Sequence, residues 1–278
     1  MSEKYASQWR EAVGQPQGVR AKLRHRLRGG LLSTLFWARQ ARAGSFLRCI
    51  YCHYVFDDQA ERFDRLVAAL CEIGTFVDTD TCVRMAQGEQ PIDGKCFHLS
   101  FDDGFRNNFT NALPVLRRRR VPGLFFVPSG LVGADYELAR HYCLETTDYT
   151  GVIEMMRWPD LEALLDAGCE IGSHTRTHAR FSEVSGDPAA LESEILGSKK
   201  DLEAKLGFDC KYISWPFGTL SDADARSLEM VRQSGYAACF GAFRGNIEPG
   251  KTPLYAIPRH HFEVQWPRSH VLYFAAKW

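Results

Sequence analysis

The sequence predicts an α/β fold, a parallel sheet curled into a β/α barrel with helices on its outside. Three observations lead there. From Phe46 onward, short apolar strand patterns alternate with amphipathic helix patterns roughly seven times, which is how a parallel sheet is built. No repeat or low-complexity tract breaks the series, so residues 45–278 read as one domain. The residues best suited to chemistry fall directly after strands, where a β/α barrel collects its site.

Taken in order, residues 1–44 come first and differ from the rest. No acidic residue lies between Glu11 and Asp57, while Arg20, Lys22, Arg24, Arg26, Arg28, Arg39, Arg42 and Arg48 do. Apolar residues recur there at helical spacing, interrupted by Gly29-Gly30. This is an N-terminal basic helical arm, either packed on the domain with its arginines in water or docked through residues 18–48 on an anionic membrane.

The barrel pattern then runs as follows. Phe46–Val55 is an expected strand, Asp58–Ile73 a helix, Thr75–Val77 a short strand and Thr79–Gln87 a helix. Cys96–Phe101 is a strand followed by a helix over Asn108–Arg118, whose closing arginines 117–120 suit the negative end of the macrodipole. Gly123–Val127 is a strand, and residues 131–158 an irregular aromatic excursion. A helix from Trp158 to Ala167, a strand at Cys169–Gly172 and a long helix over Pro188–Leu206 follow. Strands at Lys211–Trp215, Ala237–Phe240 and Leu254–Ile257, with a helix at Asp222–Ser234, complete the series.

Bulk properties narrow the function classes. The 278 residues are 45% hydrophobic, with 34 basic against 34 acidic residues, enough for a sizeable core and no basis for wholesale nucleic-acid binding. Nine cysteines sit mostly inside apolar runs and read as reduced core thiols, so a cytoplasmic location is expected, with the inner membrane face as the place the arm would reach. Cys49-x-x-Cys52 has no second pair and lies within a strand, so it reads as packing. No run approaches the ~18 apolar residues of a membrane span. The apolar stretch after arginines 20–28 is too short and too late for cleavable export to be the expectation.

Two stretches point to chemistry. Asp102-Asp103-Gly104 ends a strand, and adjacent carboxylates repel unless a cation or proton separates them. One is expected to bind a metal and the other to handle a proton. Ser173-His174-Thr175-Arg176-Thr177-His178 places two histidines four apart after another strand, where one helical turn would let them converge on a cation. An Asp/His/His set with open coordination positions suits metal-assisted hydrolysis. His98 alternates with the apolar residues of its strand and reads as structural, as do the companionless His25, His141 and His270. Tyr136, Tyr142, Tyr149, Trp158, Trp215 and Phe217 read equally as core or as platforms for sugar rings.

Ser100-Phe101-Asp102-Asp103-Gly104, Ser173-His174-Thr175 with His178, and Trp215-Pro216-Phe217-Gly218 resemble the motifs of the polysaccharide deacetylases (NodB homology domain, carbohydrate esterase family 4), over roughly residues 46–262. That resemblance implies a distorted (β/α)7 barrel of TIM-like, NodB type. It also implies one divalent metal ion, Zn²⁺ above Co²⁺, Ni²⁺ or Fe²⁺, and removal of acetyl from an N-acetylated polysaccharide, oligosaccharide or lipid-linked glycan of the kind built into cell-surface polysaccharide. Asp102 matches the family's general base, and Asp103, His174 and His178 its metal ligands. Phe217, flanked by Trp215 and Pro216, matches the residue whose N–H helps hold the oxyanion.

Two departures stand out. Many members carry an arginine two residues before that proline to pair with the base; here the position is Ser214, and Arg259 is the candidate replacement. The late Leu-x-His general-acid motif has no good match. Tyr51-Cys52-His53-Tyr54 instead resembles the permuted branch that includes poly-N-acetylglucosamine deacetylases. His53 would then protonate the leaving amine, with His260 or His261 as the alternatives. Action on an O-acetyl ester or another amide, and a carbohydrate-binding homologue without turnover, are the other readings of the same residues.

Overall fold

The computed structural model describes residues 4–14 and 44–276; most of the expected basic arm, residues 15–43, lies outside the described residues. The strands are β1 (Phe46–Cys52), β2 (Thr75–Phe76), β3 (Lys95–Phe101), β4 (Leu124–Val127), β5 (Glu170–Ser173), β6 (Tyr212–Ser214), β7 (Ala238–Phe240) and β8 (His260–His261). Seven of them run side by side in the order β7-β6-β5-β4-β3-β1-β8, with β2 paired to β3 outside this path. Every ladder is parallel. A bridge between Phe240 and Ile257, just before β8, brings the two ends of the curled sheet together.

Parallel strands are buried on both faces and so read as nearly continuous apolar runs; all seven residues of β1 are buried. The two faces still divide by the period of two. Phe97, Leu99 and Phe101 of β3, with Phe125 and Val127 of β4, pack outward against helix residues such as Leu66, Leu116 and Leu164. Leu47 and Cys49 of β1, Leu124 and Phe126 of β4, and Tyr212 and Phe240 of β6 and β7 fill the interior. The helix Thr79–Gln87 closes the base of that interior with Cys82, Val83, Met85 and Ala86. Asp78 caps its start by accepting from the Thr81 N–H, and Gly88, at φ 81°, ends it in the left-handed conformation that costs glycine least. On the outside, Phe63, Leu66, Val67 and Leu70 recur at helical spacing and form the buried face of the helix Ala60–Ile73.

The excursion is more ordered than its composition suggests. It contains a helix at Tyr136–His141, a wider π turn at Tyr142–Thr146 and a third apolar cluster around Phe105, Tyr142 and Ile153. Residues 4–14 join this cluster: the Ala6 N–H donates to Val152 O, and the Thr150 N–H to Ala12 O.

Four expectations differ from what is found. The long helix over 188–206 is three pieces, Pro188–Glu192, a π turn at Ser193–Gly197, and Ser198–Leu206. The expected helix over 108–118 likewise opens with a π turn at Asn108–Ala112 before Leu113–Arg119, with Pro114, which lacks an N–H, near the start of the regular part. Leu254–Ala256 is a 3₁₀ turn rather than a strand, and the last strand is His260–His261, which pairs with Ile50 and Tyr51. Arg48, counted with the basic arm, is 3% exposed and donates to Gly245 O, because β1 carries it into the domain.

Candidate active site

The inward residues of neighbouring strands rise in step toward one end. Cys49 pairs in register with His98 and Tyr51 with Ser100, and the next inward residues of the two strands are His53 and Asp102. At this end a cavity of about 370 Å³ is lined by His53, Asp102, Asp103, His174, His178 and Phe217, together with Tyr54, Tyr149, Trp215 and Glu263. His53, Asp102, Asp103, His174, His178 and Phe217 thus share one cavity, although they come from four different strand ends.

The backbone parts the two aspartates. Asp103 and Gly104 sit at φ 70° and 68°, so consecutive left-handed residues turn the chain and send the adjacent carboxylates to different partners. Both are buried, at 3% exposure, and line the cavity. The Asp103 Oδ1 lies 3.5 Å from His174 Nε2 and 3.3 Å from His178 Nε2. His174 Nδ1 is 2.8 Å from Ser214 O, and since a carbonyl can only accept, the proton is on Nδ1 and the Nε2 lone pair faces Asp103. The histidines converge without the helical turn that their spacing would allow. Thr175 and His178 take φ 64° and 66°, and this irregular loop brings the rings to 4.9 Å between centroids.

Asp103, His174 and His178 offer donor atoms within 4.8 Å of one another, all on buried residues. Two imidazole nitrogens and a carboxylate suit a divalent cation of the zinc class, so the residues present fit the expected metal. Burial alone would raise the Asp103 carboxyl, but His53 and the neighbouring His174 and His178 imidazoles hold it well below the ordinary carboxylate value. Tyr149 adds a hydroxyl 3.4 Å from Asp103 Oδ2.

Asp102 faces the other way, into Arg259. The guanidinium donates through both terminal nitrogens, at 2.7 and 2.8 Å, to the two carboxylate oxygens. It also donates to Ser100 Oγ at 3.0 Å, Ser214 Oγ at 2.5 Å and Gly241 O at 2.9 Å, and it is fully buried. Its carbon lies 4.3 Å from the Tyr51 ring centroid. Burial pushes the Asp102 carboxyl up, and Arg259, aided by His174 and His53, brings it below the usual value.

His53 is half-buried in the cavity wall, where burial lowers its imidazole pKa against the opposing pull of Asp103. Its carbonyl accepts from Asn108 Nδ2 at 2.7 Å, and its ring lies 5.0 Å from that of His261. His261 is 3.2 Å from Glu263, which also accepts from the Tyr54 hydroxyl at 2.7 Å. His260 turns away, toward Arg48 and Gly245. Phe217 takes φ 62° beside Gly218, and its N–H donates to no other group of the described residues.

Sequence reasoning assigns no separate role to Ser100 or Glu263 and sees Tyr149 only as an aromatic. Ser100 was legible as the residue two before Asp102, on the same face of β3, and Glu263 as two after His261. Tyr149 carried no signal beyond its ring. Among the described residues, six non-glycines have positive φ, and four of them, Asp103, Thr175, His178 and Phe217, belong to the candidate motifs. Strained backbone of this kind collects at functional sites.

Residues 89–239 match the family model described as polysaccharide deacetylase. The chain is 23% identical over 162 residues to YxkH of Bacillus subtilis (strain 168), a protein whose name assigns it provisionally to the polysaccharide deacetylases; the match covers 58% of this chain, which spans about half, 50%, of that relative. Among solved structures, IcaB from Ammonifex degensii superposes with a TM-score of 0.69 at 24% identity, covering 84% of this chain and 99% of that one. The Streptococcus pyogenes deacetylase PplD, in complex with acetate, superposes with a TM-score of 0.66 at 14% identity over 84% and 100%. These two share the curled parallel sheet, as the predicted barrel requires.

Proposed function

The chain belongs to the polysaccharide deacetylase family, and on that premise we propose that it is a metal-dependent hydrolase removing acetyl from an N-acetylated sugar in a polysaccharide, oligosaccharide or lipid-linked glycan. The observation that carries this reading is the division of labour between adjacent carboxylates: Asp103 faces two histidines, and Asp102 faces a buried arginine.

Asp103, His174 and His178 would hold the divalent cation, which when bound supplies Lewis acidity at the scissile carbonyl. Asp102, kept ionised by Arg259, takes a proton from the water whose oxygen attacks that carbonyl carbon. The unspent Phe217 N–H donates to the carbonyl oxygen as negative charge grows there, a contribution of about 3–4 kcal/mol in comparable sites. His53 gives a proton to the sugar nitrogen as the C–N bond breaks, leaving acetate and a free amine. The cavity's mixture of aromatic and polar walls suits a sugar ring. Arg259 also answers the departure at Ser214: it supplies a cation to Asp102, which supports turnover over the reading as a carbohydrate-binding homologue, the altered Tyr51-Cys52-His53 motif being that reading's other motive.

The test is acetate release from N-acetylglucosamine oligomers by the Zn²⁺- or Co²⁺-loaded protein, run beside an O-acetylated analogue. Release from the amide, lost on Asp102→Asn, is the expected result; release from the ester alone would move the assignment to esterase. For location we propose the cytoplasm, at the inner membrane face, a reading supported by nine free cysteines and the arginines between residues 20 and 42. No helix among the described residues is long and apolar enough to cross a membrane. Liposome co-sedimentation that does not change when residues 1–44 are deleted would sink the membrane contact.

A further inference from the structure

A second cluster of ligand-type side chains lies deeper in the barrel, and none of its members lines the cavity. Cys49 on β1 and His98 on β3 are register partners, and Cys82 comes from the helix Thr79–Gln87 that closes the base. Cys49, Cys82 and His98 are at most 1% exposed. Their donor atoms lie within 4.8 Å of one another, and the two sulfurs are 3.5 Å apart.

The hydrogen bonds around His98 fix its proton. Glu170 Oε2 accepts from the Thr79 N–H at 3.0 Å and from the Thr79 hydroxyl at 2.6 Å. A hydroxyl that donates to a carboxylate can only accept from its other neighbour. His98 Nε2, 3.0 Å from Thr79 Oγ1, therefore carries the proton. Nδ1 is left with a lone pair, buried and with no hydrogen bond by distance and angle, and His98 offers a donor atom within 4.8 Å of the Cys49 and Cys82 sulfurs. An imidazole anchored through one nitrogen by a hydroxyl–carboxylate relay, with the other nitrogen bare, is oriented as metal-ligating histidines are.

We propose that Cys49, Cys82 and His98 form a buried site for one thiophilic divalent cation of the zinc class, tying the helix at the barrel base to β1 and β3. Sulfurs 3.5 Å apart subtend about 100° at a metal bonded to each at about 2.3 Å. A disulfide would require them to close by roughly 1.5 Å. Two thiolates and a neutral imidazole around a dication sum to zero charge, which an apolar interior tolerates. Two thiol protons leave as the ion enters. Thiolates select softer cations than the carboxylate–histidine set above does. The enclosure means that the ion is acquired as the chain folds.

The test uses the full chain expressed with Co²⁺ in place of Zn²⁺. Thiolate-bound cobalt gives a sulfur-to-metal charge-transfer band in the near ultraviolet. The Asp103, His174 and His178 set contains no sulfur, so the band reports this cluster alone. Wild type and His174→Ala are expected to carry the band. Cys82→Ser should lose it, together with one metal equivalent per chain. Should Cys82→Ser fail to fold, titration of wild-type protein with an organomercurial should release one metal ion in step with two thiols. Absence of the band from wild type overturns the proposal, even where one metal remains that His174→Ala removes, and leaves the deacetylase reading untouched. An intact mass lower by two hydrogens, marking a Cys49–Cys82 disulfide, overturns it as well.

Discussion

Replacing Arg259 with alanine removes five hydrogen bonds at once, two of them to Asp102. Asp102 is 3% exposed beside Arg259, so its charge loses the cation fork in a buried setting. Removing one partner of a buried pair typically costs about 3–5 kcal/mol of folding free energy, a large share of the usual ~5–15. The pH dependence has a definite sign. In wild type the Asp102 carboxyl is depressed despite burial, so the pair contributes stability above the unfolded-state pKa and loses it as pH falls through the folded one. Without Arg259, the burial that raises this carboxyl acts against weaker opposition, and Asp102 holds its proton to higher pH. Acetate release measured against pH, with a urea melt at each point, should show the acid limb of the Arg259→Ala profile moved upward. On that limb, roughly tenfold activity is lost for each pH step of one by which the limb moves. Arg259→Lys keeps a cation but not the planar fork, and should fall between the two. An unchanged acid limb, or a loss that merely follows the unfolded fraction, would refute the argument.

Three further outcomes are expected. Asp103→Asn and His174→Ala should each abolish binding of one divalent ion in equilibrium dialysis and activity with it, while thermal melts of the metal-free proteins stay close to the metal-free wild type. His53→Asn should slow amide hydrolysis by about 10²–10⁴ yet spare an activated aryl acetate, whose leaving group needs no proton; equal losses on both would remove His53 from the general-acid role. Gly218→Ala places a Cβ 2.1 Å from the Ala242 Cβ at φ 70°, so it should disturb the Phe217 turn and lower kcat; a wild-type kcat would show that the turn is not needed.

How far the sequence could be read follows from the range of the forces involved. Strand and helix positions were legible because burial on both faces of β1 and β3 demands continuous apolar runs, and Asp102-Asp103 was legible because carboxylates are disfavoured inside a strand and so mark its end. What escaped was set by long-range packing. The π turn at Ser193–Gly197 places Glu194 where Oε2 accepts from the Arg176 and Thr177 N–H groups, supporting the His174–His178 loop from another helix. No local pattern announces that contact. The same holds for the left-handed Thr175, whose N–H donates to Ser173 Oγ, and for the left-handed His178, which follows a Thr177 held by Glu194.

Ser214 and Arg259 show why a motif can be altered while the electrostatics it served are kept. The resemblance led to an arginine on β6 beside Asp102, and the chain has a serine there. The guanidinium instead enters from the segment before β8, and its path is open because position 214 is small: the Arg259 terminal nitrogen that pairs with Asp102 Oδ2 also donates to Ser214 Oγ. A long cation at both 214 and 259 would place two buried positive charges against one carboxylate, a cost of several kcal/mol per unpaired ion. The serine and the arginine are therefore two halves of one arrangement. Ser214→Arg in the wild-type background should be worse than either Ser214→Arg/Arg259→Ser or wild type, in both urea midpoint and acetate release. A double variant no better than the single would show that the two positions are independent, and that Arg259 serves the fold rather than Asp102.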